Sequence, residues 1–303
     1  MDGILNVDKP AGWTSFDVVA FLRRRSGVRR VGHAGTLDPA ATGVLPVCFG
    51  QATRVVEYLV DASKVYEAAV RLGLVTDTYD AEGTVESETD ASGVGLAAIE
   101  AALAAFRGEI EQRPPAFSAL KRDGVPLYKL ARAGRPVEAA ARRVTVYSID
   151  ITSYRPPLLG LRVECSKGTY IRSIAHELGA RLGVGGSLAG LVRSRVGSFD
   201  LASAVSIEAL RPELADGSWR QRLYAPDEVL IDWQAAILGE ASEARLRQGQ
   251  ALQLEAAPGA ASAERCRAYG RDGDFLAVLR YAGDSAWKPE KVFAAPSPAG
   301  GSA

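Results

Sequence analysis

Residues 32–46, GHAGTLDPAATGVLP, constrain the fold more than any other stretch of this chain. They hold three glycines, two prolines and one aspartate, Asp38, with almost no other charge. Glycine reaches backbone conformations closed to other residues, while proline fixes φ and removes an amide donor. The run therefore reads as a constrained loop that positions its side chains at low entropic cost. An acid between Leu37 and Pro39 has two readings. It is an Asx turn ahead of proline, or a carboxylate held in place for chemistry.

The flanking segments read as regular structure. GILNVDKPAGWTSFDVVAFLRRR is a strand, a turn and a helix, with Thr14 and Asp17 spaced as a capping box and arginines at the far end to suit the helix dipole. QATRVVEYLV places Ala52, Val55, Val56 and Leu59 on one helical face. KVYEAAVRLG switches to period two, with Tyr66, Ala68, Val70 and Leu72 together and Glu67 and Arg71 opposite. An acidic turn, TDTYDAEG, follows. GLAAIEAALAAFRG is an amphipathic helix through Leu96, Ile99, Leu103 and Phe106, ended by Gly108. VTVYSIDITSY and LLGLRVEC are neighbouring strands, and SKGTYIRSIAHELGARLG turns at Gly168 into a helix with Ile171, Ile174, Ala175, Leu178 and Leu182 inward. The pattern weakens over 212–230. Short strands then recur in QALQLE, RCRAYGRDGDFLAVLRY and KVFAA, with Asp272-Gly273 as a hairpin turn.

The expected architecture is a mixed α/β domain over residues 1–228, carrying an insert at 112–143, then a small β-rich domain over 229–296 and a disordered tail at 297–303. A chain of 303 residues is long enough for a sizeable core. No apolar run approaches a membrane span of about 20 residues, and no leader pattern opens the chain, so a cytoplasmic protein without membrane contact is expected. Three isolated cysteines and two histidines suit a reducing compartment and give no metal-ligand spacing. Metal chemistry is disfavoured.

Basic and acidic residues balance at 36 each, which argues against a globally basic nucleic-acid binder. Their distribution argues otherwise. Five arginines and no acid lie between Val18 and Leu37, and the insert from Gln112 to Arg143 holds eight basic residues against two acids. Phosphate binding depends on the contacting face and not on total charge. A solvated helix face plus a basic loop is the competing reading.

Phosphate-loop, dinucleotide-fold and nucleophile-elbow motifs are all missing. What remains is a carboxylate in a rigid loop (Asp38), a tyrosine on a strand (Tyr66) and an arginine on a helix after SKGTY (Arg172). With their surroundings, these segments resemble the TruB family of bacterial tRNA pseudouridine synthases over essentially the whole chain. LNVDKPAGWTS, GHAGTLDPAATGVLP, KVYEAAVRLG with TDTYDAEG, and CSKGTYIRSIAHELG are similar to the four family motifs, in order. SLAGLVRSRVGSF is similar to the segment that closes the pocket. Other pseudouridine synthase branches carry an RLD triplet where this chain has TLD.

The resemblance implies a pseudouridine synthase fold with a C-terminal PUA-like RNA-binding domain, and isomerisation of uridine 55 in the tRNA T-loop. That reaction breaks N1–C1′ and rejoins the base through C5, with no net redox change or hydrolysis, so no cofactor is expected. Asp38 is then the nucleophile or base. Arg172 would pair with it in a bidentate fork, since a buried carboxylate needs a partner; the other reading is a solvent-facing arginine. The Tyr66 ring would stack on uracil with its hydroxyl near C5. A free phenol, with a pKa of about 10, is a poor base without a cationic neighbour. His33 would fill the space left by the flipped nucleotide, Tyr170 and Leu191 would close an apolar pocket, and Asp80 would join a hydrogen-bond network with the substrate arm. Lys121 and Arg122 of the insert would clamp the T-arm. His176 stands where relatives often carry an acid. The implied partner is tRNA, bound by a monomer that needs no other protein. Two alternatives are an RNA-binding or RNA-folding protein, and the guide-RNA-dependent branch of the superfamily. The set Asp38, Tyr66 and Arg172 speaks against the first, and the insert against the second.

Overall fold

The computed structural model describes residues 1–118, 120–122, 124–135, 137, 139–254 and 264–293. The side chain of Lys121 and the expected tail at 297–303 lie outside the described residues. A ten-stranded mixed sheet dominates the chain. Its order runs Val205–Ser206, Gly3–Lys9, Thr42–Phe49, Gly186–Val196, Lys64–Leu72, Leu158–Cys165, Arg142–Arg155, Gly108–Gln112. Two short strands, Val31–His33 and Phe199–Asp200, pair off this path. The pairings from Gly186–Val196 through to Gly108–Gln112 are antiparallel, whereas Thr42–Phe49 meets Gly186–Val196 in parallel.

Half of the expected loop at 32–46 is strand. Val31–His33 and Thr42–Phe49 are hydrogen-bonded to each other, and the connection shrinks to residues 34–41. The reason is burial: Val44, Leu45, Val47, Cys48 and Phe49 are completely inaccessible to solvent, and an apolar run covered on both faces pays no attention to alternation. Pro46 sits inside this strand opposite Asn6, and its carbonyl accepts from Ala34 at 3.0 Å.

Elsewhere the patterns hold. The Ser15–Ser26 helix has the Thr14–Asp17 capping box and ends on Gly27 in the left-handed region. In the strand Lys64–Leu72, Ala68, Val70 and Leu72 point into a core shared with Ile99, Leu103, Phe106, Ile174 and Leu178. Leu96 departs from expectation: it is 47% exposed, at the first helical position, before the packed face begins at Ile99. Among its described residues the insert contains two short paired strands, Lys121–Arg122 with Val125–Pro126, followed by the helix Leu127–Arg132.

The weak pattern over 212–230 conceals a core anchor. A helix at Ile207–Asp216, with Pro212 inside it, leads to a 3-10 turn at Ser218–Arg222. Trp219 in that turn is 1% exposed and packs on Phe49, ring centroids 4.9 Å apart. A five-stranded sheet follows, ordered Ala235–Ile237, Arg265–Tyr269, Phe275–Tyr281, Ala286–Val292, Leu252–Gln253. Gly273 turns the expected hairpin with φ of 89°. This part of the chain packs on the helical segment 50–61: Phe293 joins the core around Val55, Leu59 and Phe199, and Lys291 pairs with Glu57 at 2.8 Å.

Trp219→Ala should destabilise the chain by about 3–5 kcal/mol, the usual range for emptying a large aromatic site. Urea unfolding measures it, and a loss below about 1 kcal/mol would show that the 3-10 turn is not part of the core.

Candidate active site

The Asp38 loop is pinned by its neighbours rather than by its own glycines alone. Ser15 Oγ accepts from the Leu37 amide at 2.8 Å, and Asp38 C=O accepts from Ala41 at 3.1 Å. Lys9, wholly buried, donates to the carbonyls of Pro10, Trp13 and Pro39 at 2.8, 2.6 and 3.1 Å. One ammonium thereby ties the turn after the first strand to the residue following Asp38.

Arg172 lies in the first turn of the helix Ile171–Arg181 and is 4% exposed, which removes the solvent-facing reading. Its Nη2 meets Asp38 Oδ2 at 2.9 Å and its Nη1 meets Asp80 Oδ2 at 3.2 Å. The same nitrogens donate to the carbonyls of Phe117 at 3.0 Å and Thr78 at 3.2 Å. The expected bidentate fork on Asp38 is not what forms. The guanidinium is divided between two carboxylates, because the TDTYDAEG turn brings a second acid to its other edge. Asp80 therefore sits inside the site. The Asp38 side chain is 47% exposed and its partner only 5%, so the carboxylate is held from behind and open in front.

It opens into a cleft of 530 Å³ whose walls include His33, Asp38, Tyr66, Tyr170, Arg172 and Leu191. Asp80 is reached from an adjoining depression that shares Asp38, Arg172 and Leu191. Six expected site residues thus line one cavity, and Asp80, expected in a network with the substrate arm, instead meets it through Arg172. Tyr170 caps the helix N-terminus, held by Gln112, whose side chain accepts from the Tyr170 amide at 2.7 Å and donates to its carbonyl at 3.0 Å. The Arg142 guanidinium covers the Tyr170 ring, 4.8 Å from its centroid. Arg122 lies on the exposed hairpin of the insert, and the Lys121 backbone lies beside Leu120, which lines the cleft.

Sequence reasoning missed Arg193. It stands opposite Tyr66 in the sheet register and is 1% exposed. Its Nε donates to Val44 C=O at 2.8 Å and its Nη2 to Gly35 C=O at 3.0 Å. A Cβ on Gly43 would overlap the Arg193 carbonyl oxygen, so glycine there, at φ of 101°, lets the two strands close over the arginine. Burial pushes the Tyr66 hydroxyl above the ordinary phenol value, while the Arg193 charge and hydrogen bond pull the other way. Burial and then Arg193 also hold His33 below its usual pKa. Tyr66 thus has a buried cationic neighbour. The signal was available: Arg193 is two residues after Leu191, hence on the same face of the strand.

Among the described residues no cluster of three or more His, Cys, Asp or Glu could hold a metal ion, and no helix is long and apolar enough to cross a membrane. Chemically, the cleft offers a carboxylate backed by a cation, a phenol beside another cation, and apolar wall residues such as Leu37, Leu120, Ile171 and Leu191.

Residues 23–171 match the model of the TruB family pseudouridylate synthase N-terminal domain. A tRNA pseudouridine synthase B of Dehalococcoides mccartyi is 42% identical over 298 residues, 98% of either chain. Another, from Ralstonia pickettii, is 46% identical over 302 residues, covering 96% of this chain and 93% of its own. Among solved structures, a chain of a Cbf5-Nop10-Gar1 complex superposes with TM-score 0.72 at 27% identity, covering 96% of this chain and 84% of that one. A chain of an H/ACA RNP bound to a substrate RNA containing 2′-deoxyuridine gives TM-score 0.72 at 25% identity, with coverage of 97% and 85%. With fold, motifs and near full-length relatives in agreement, the chain belongs to the TruB family of pseudouridylate synthases.

Proposed function

We propose that this chain converts uridine 55 in the T-loop of tRNA to pseudouridine, acting as a cytoplasmic monomer on tRNA without another protein. The observation that carries the reading is the half-open Asp38 carboxylate, gripped through Oδ2 by a buried Arg172 at the floor of a base-sized cleft. Relatives named tRNA pseudouridine synthase B align with it over nearly their whole length. The test of the reaction is direct. Unmodified tRNA labelled with tritium at uridine C5 should release its label to water on incubation with the purified chain, and a chain that binds the tRNA but releases none is a binder only.

The target nucleotide must leave its stack, since C1′ and C5 are out of reach inside a folded loop. Tyr66, Tyr170 and Leu191 then enclose the uracil, and His33 occupies the vacated position. Asp38 acts at the sugar or base while N1–C1′ breaks, and the apolar walls keep the detached base from solvent. After rotation and C5–C1′ bond formation, the C5 proton passes to the Tyr66 oxygen in its phenolate form while N1 takes one up, which balances the isomerisation. Arg193 favours the phenolate there. The five-stranded sheet over residues 235–292 acts as a PUA-like RNA-binding domain, separated from the catalytic part near residue 228.

Asp38→Asn should abolish label release while leaving tRNA affinity within about twofold, because the amide keeps shape and loses charge. Wild-type turnover by this variant would remove Asp38 from the chemistry. Tyr66→Phe should bind tRNA and cleave the glycosidic bond, yet stall before C5 deprotonation. Arg193→Gln should slow the same step and move the alkaline-rising limb of the single-turnover pH profile upward, since the phenol loses the cation that lowers its pKa. An unmoved limb would separate Arg193 from the tyrosine.

The insert supplies phosphate contacts rather than chemistry. Replacing Lys121, Arg122, Lys129 and Arg132 with alanine should reduce the slope of log affinity against log salt by about 2, fewer than the four contacts available. Saturating tRNA should restore most of the single-turnover rate. An unchanged slope would return the insert to a solvated loop.

A further inference from the structure

The helix that carries Arg172 carries His176 one turn later, on the same face. Both side chains reach the TDTYDAEG segment. Arg172 takes the Asp80 carboxylate and the Thr78 carbonyl. His176 stacks on Tyr79, with ring centroids 3.8 Å apart and planes inclined by only 12°.

Tyr79 is an unusual residue to find between those contacts. Its φ is 63°, in the left-handed region. A bulky side chain stays there only when its surroundings over-determine the conformation. Here they do. The Tyr79 amide donates to Thr76 C=O at 3.2 Å, its carbonyl accepts from Leu188 at 2.9 Å, and its ring lies against the imidazole. The left-handed turn sets the direction in which the next residue, Asp80, leaves the chain. Asp80 is then fixed by Thr78 Oγ1 at 2.6 Å and the Glu82 amide at 3.1 Å, both on Oδ1, which leaves Oδ2 for Arg172.

We propose that His176 is a positioning residue: its ring, stacked on Tyr79, holds the left-handed turn that presents Asp80 to Arg172, and through Arg172 sets Asp38. The inference rests on the reading of Asp38 and Arg172 given above. It concerns ring contact and not proton transfer. His176 Nδ1 is buried without a hydrogen-bond partner, and burial, opposed by Glu86, holds the imidazole below its usual pKa and hence neutral. A flat ring without nitrogens should therefore serve as well.

That expectation supplies the test. Wild type, His176→Ala, His176→Phe, Tyr79→Ala, the double alanine variant and Asp80→Asn are compared for single-turnover rate at saturating tRNA, tRNA affinity and melting temperature. His176→Ala and Tyr79→Ala should each slow the single turnover by about tenfold at unchanged affinity, the scale expected for a slightly misplaced catalytic group. The double variant should be no slower than either single one, and His176→Phe should restore the rate to within about twofold of wild type. A wild-type rate in both alanine variants, additive losses, or a loss that His176→Phe does not repair each overturns the proposal. Should His176→Ala melt too low to assay, Tyr79→Ala and His176→Phe decide alone. Asp80→Asn separates the two levels. If it is slow while the alanine variants are not, the stack has no role and the underlying site stands. If Asp80→Asn matches wild type, the Arg172 network is misread and the positioning role falls with it.

Discussion

The site depends on the burial of one guanidinium. At 4% exposure, Arg172 has left almost all of its water behind, and such a charge is tolerable only when every donor finds an acceptor. It finds two carboxylates and two carbonyls, drawn from residues 38, 78, 80 and 117. Four chain segments far apart in sequence are therefore required to meet at one group: the loop after Val31–His33, the acidic turn, the root of the insert and the helix Ile171–Arg181. Shortening the arginine would take from Asp38 and Asp80 the guanidinium that both contact, a worse state than the absence of all three.

That requirement explains why the insert is anchored where it is. Ser173 donates to the Arg113 carbonyl at 2.8 Å, Gln112 brackets Tyr170, and the Phe117 carbonyl takes Arg172. All of these contacts fall in the first six residues of a segment whose hairpin and helix reach outward with Arg122, Lys129 and Arg132. The charged part of the insert and the enclosed part of the site thus share one root on one helix.

What the sequence made legible follows from the range of each signal. Local, periodic features were readable: the capping box at Thr14, the inward face of Lys64–Leu72, the turn at Gly273. The pocket residues Asp38, Tyr66, Tyr170, Arg172 and Leu191, picked out through motif resemblance, line one cleft. Three things were not readable. The strand Thr42–Phe49 hid inside glycines and prolines, because burial on both faces erases the alternation that marks a strand. Trp219 hid in a 3-10 turn that has no hydrophobic period to detect. Asp80 was assigned to the substrate arm, and its contact with Arg172 depends on a left-handed residue at Tyr79, where propensity points elsewhere. Each miss is a case of tertiary contact overriding a local preference.

The buried cations complete the physical picture. Lys9 and Lys64 are almost wholly enclosed, each donating to three backbone carbonyls, and Arg193 donates to two. Burial pushes both lysine amines down to about 8, with attraction to Asp38 the next influence on Lys9. Because the unfolded chain keeps these protons up to the ordinary lysine range, it binds more of them than the fold does above about 8, and their burial penalty shrinks as pH rises through that window. Below it both amines are charged and the fold carries the full penalty, offset by carbonyl dipoles. Carbonyls can offset the charge without cancelling its field, as a carboxylate would. A chain with 36 basic and 36 acidic residues can attract a polyanion only by sorting its charges in space. Here Lys64 and Arg193 line the cleft itself, and Arg122, Lys129 and Arg132 of the insert are exposed.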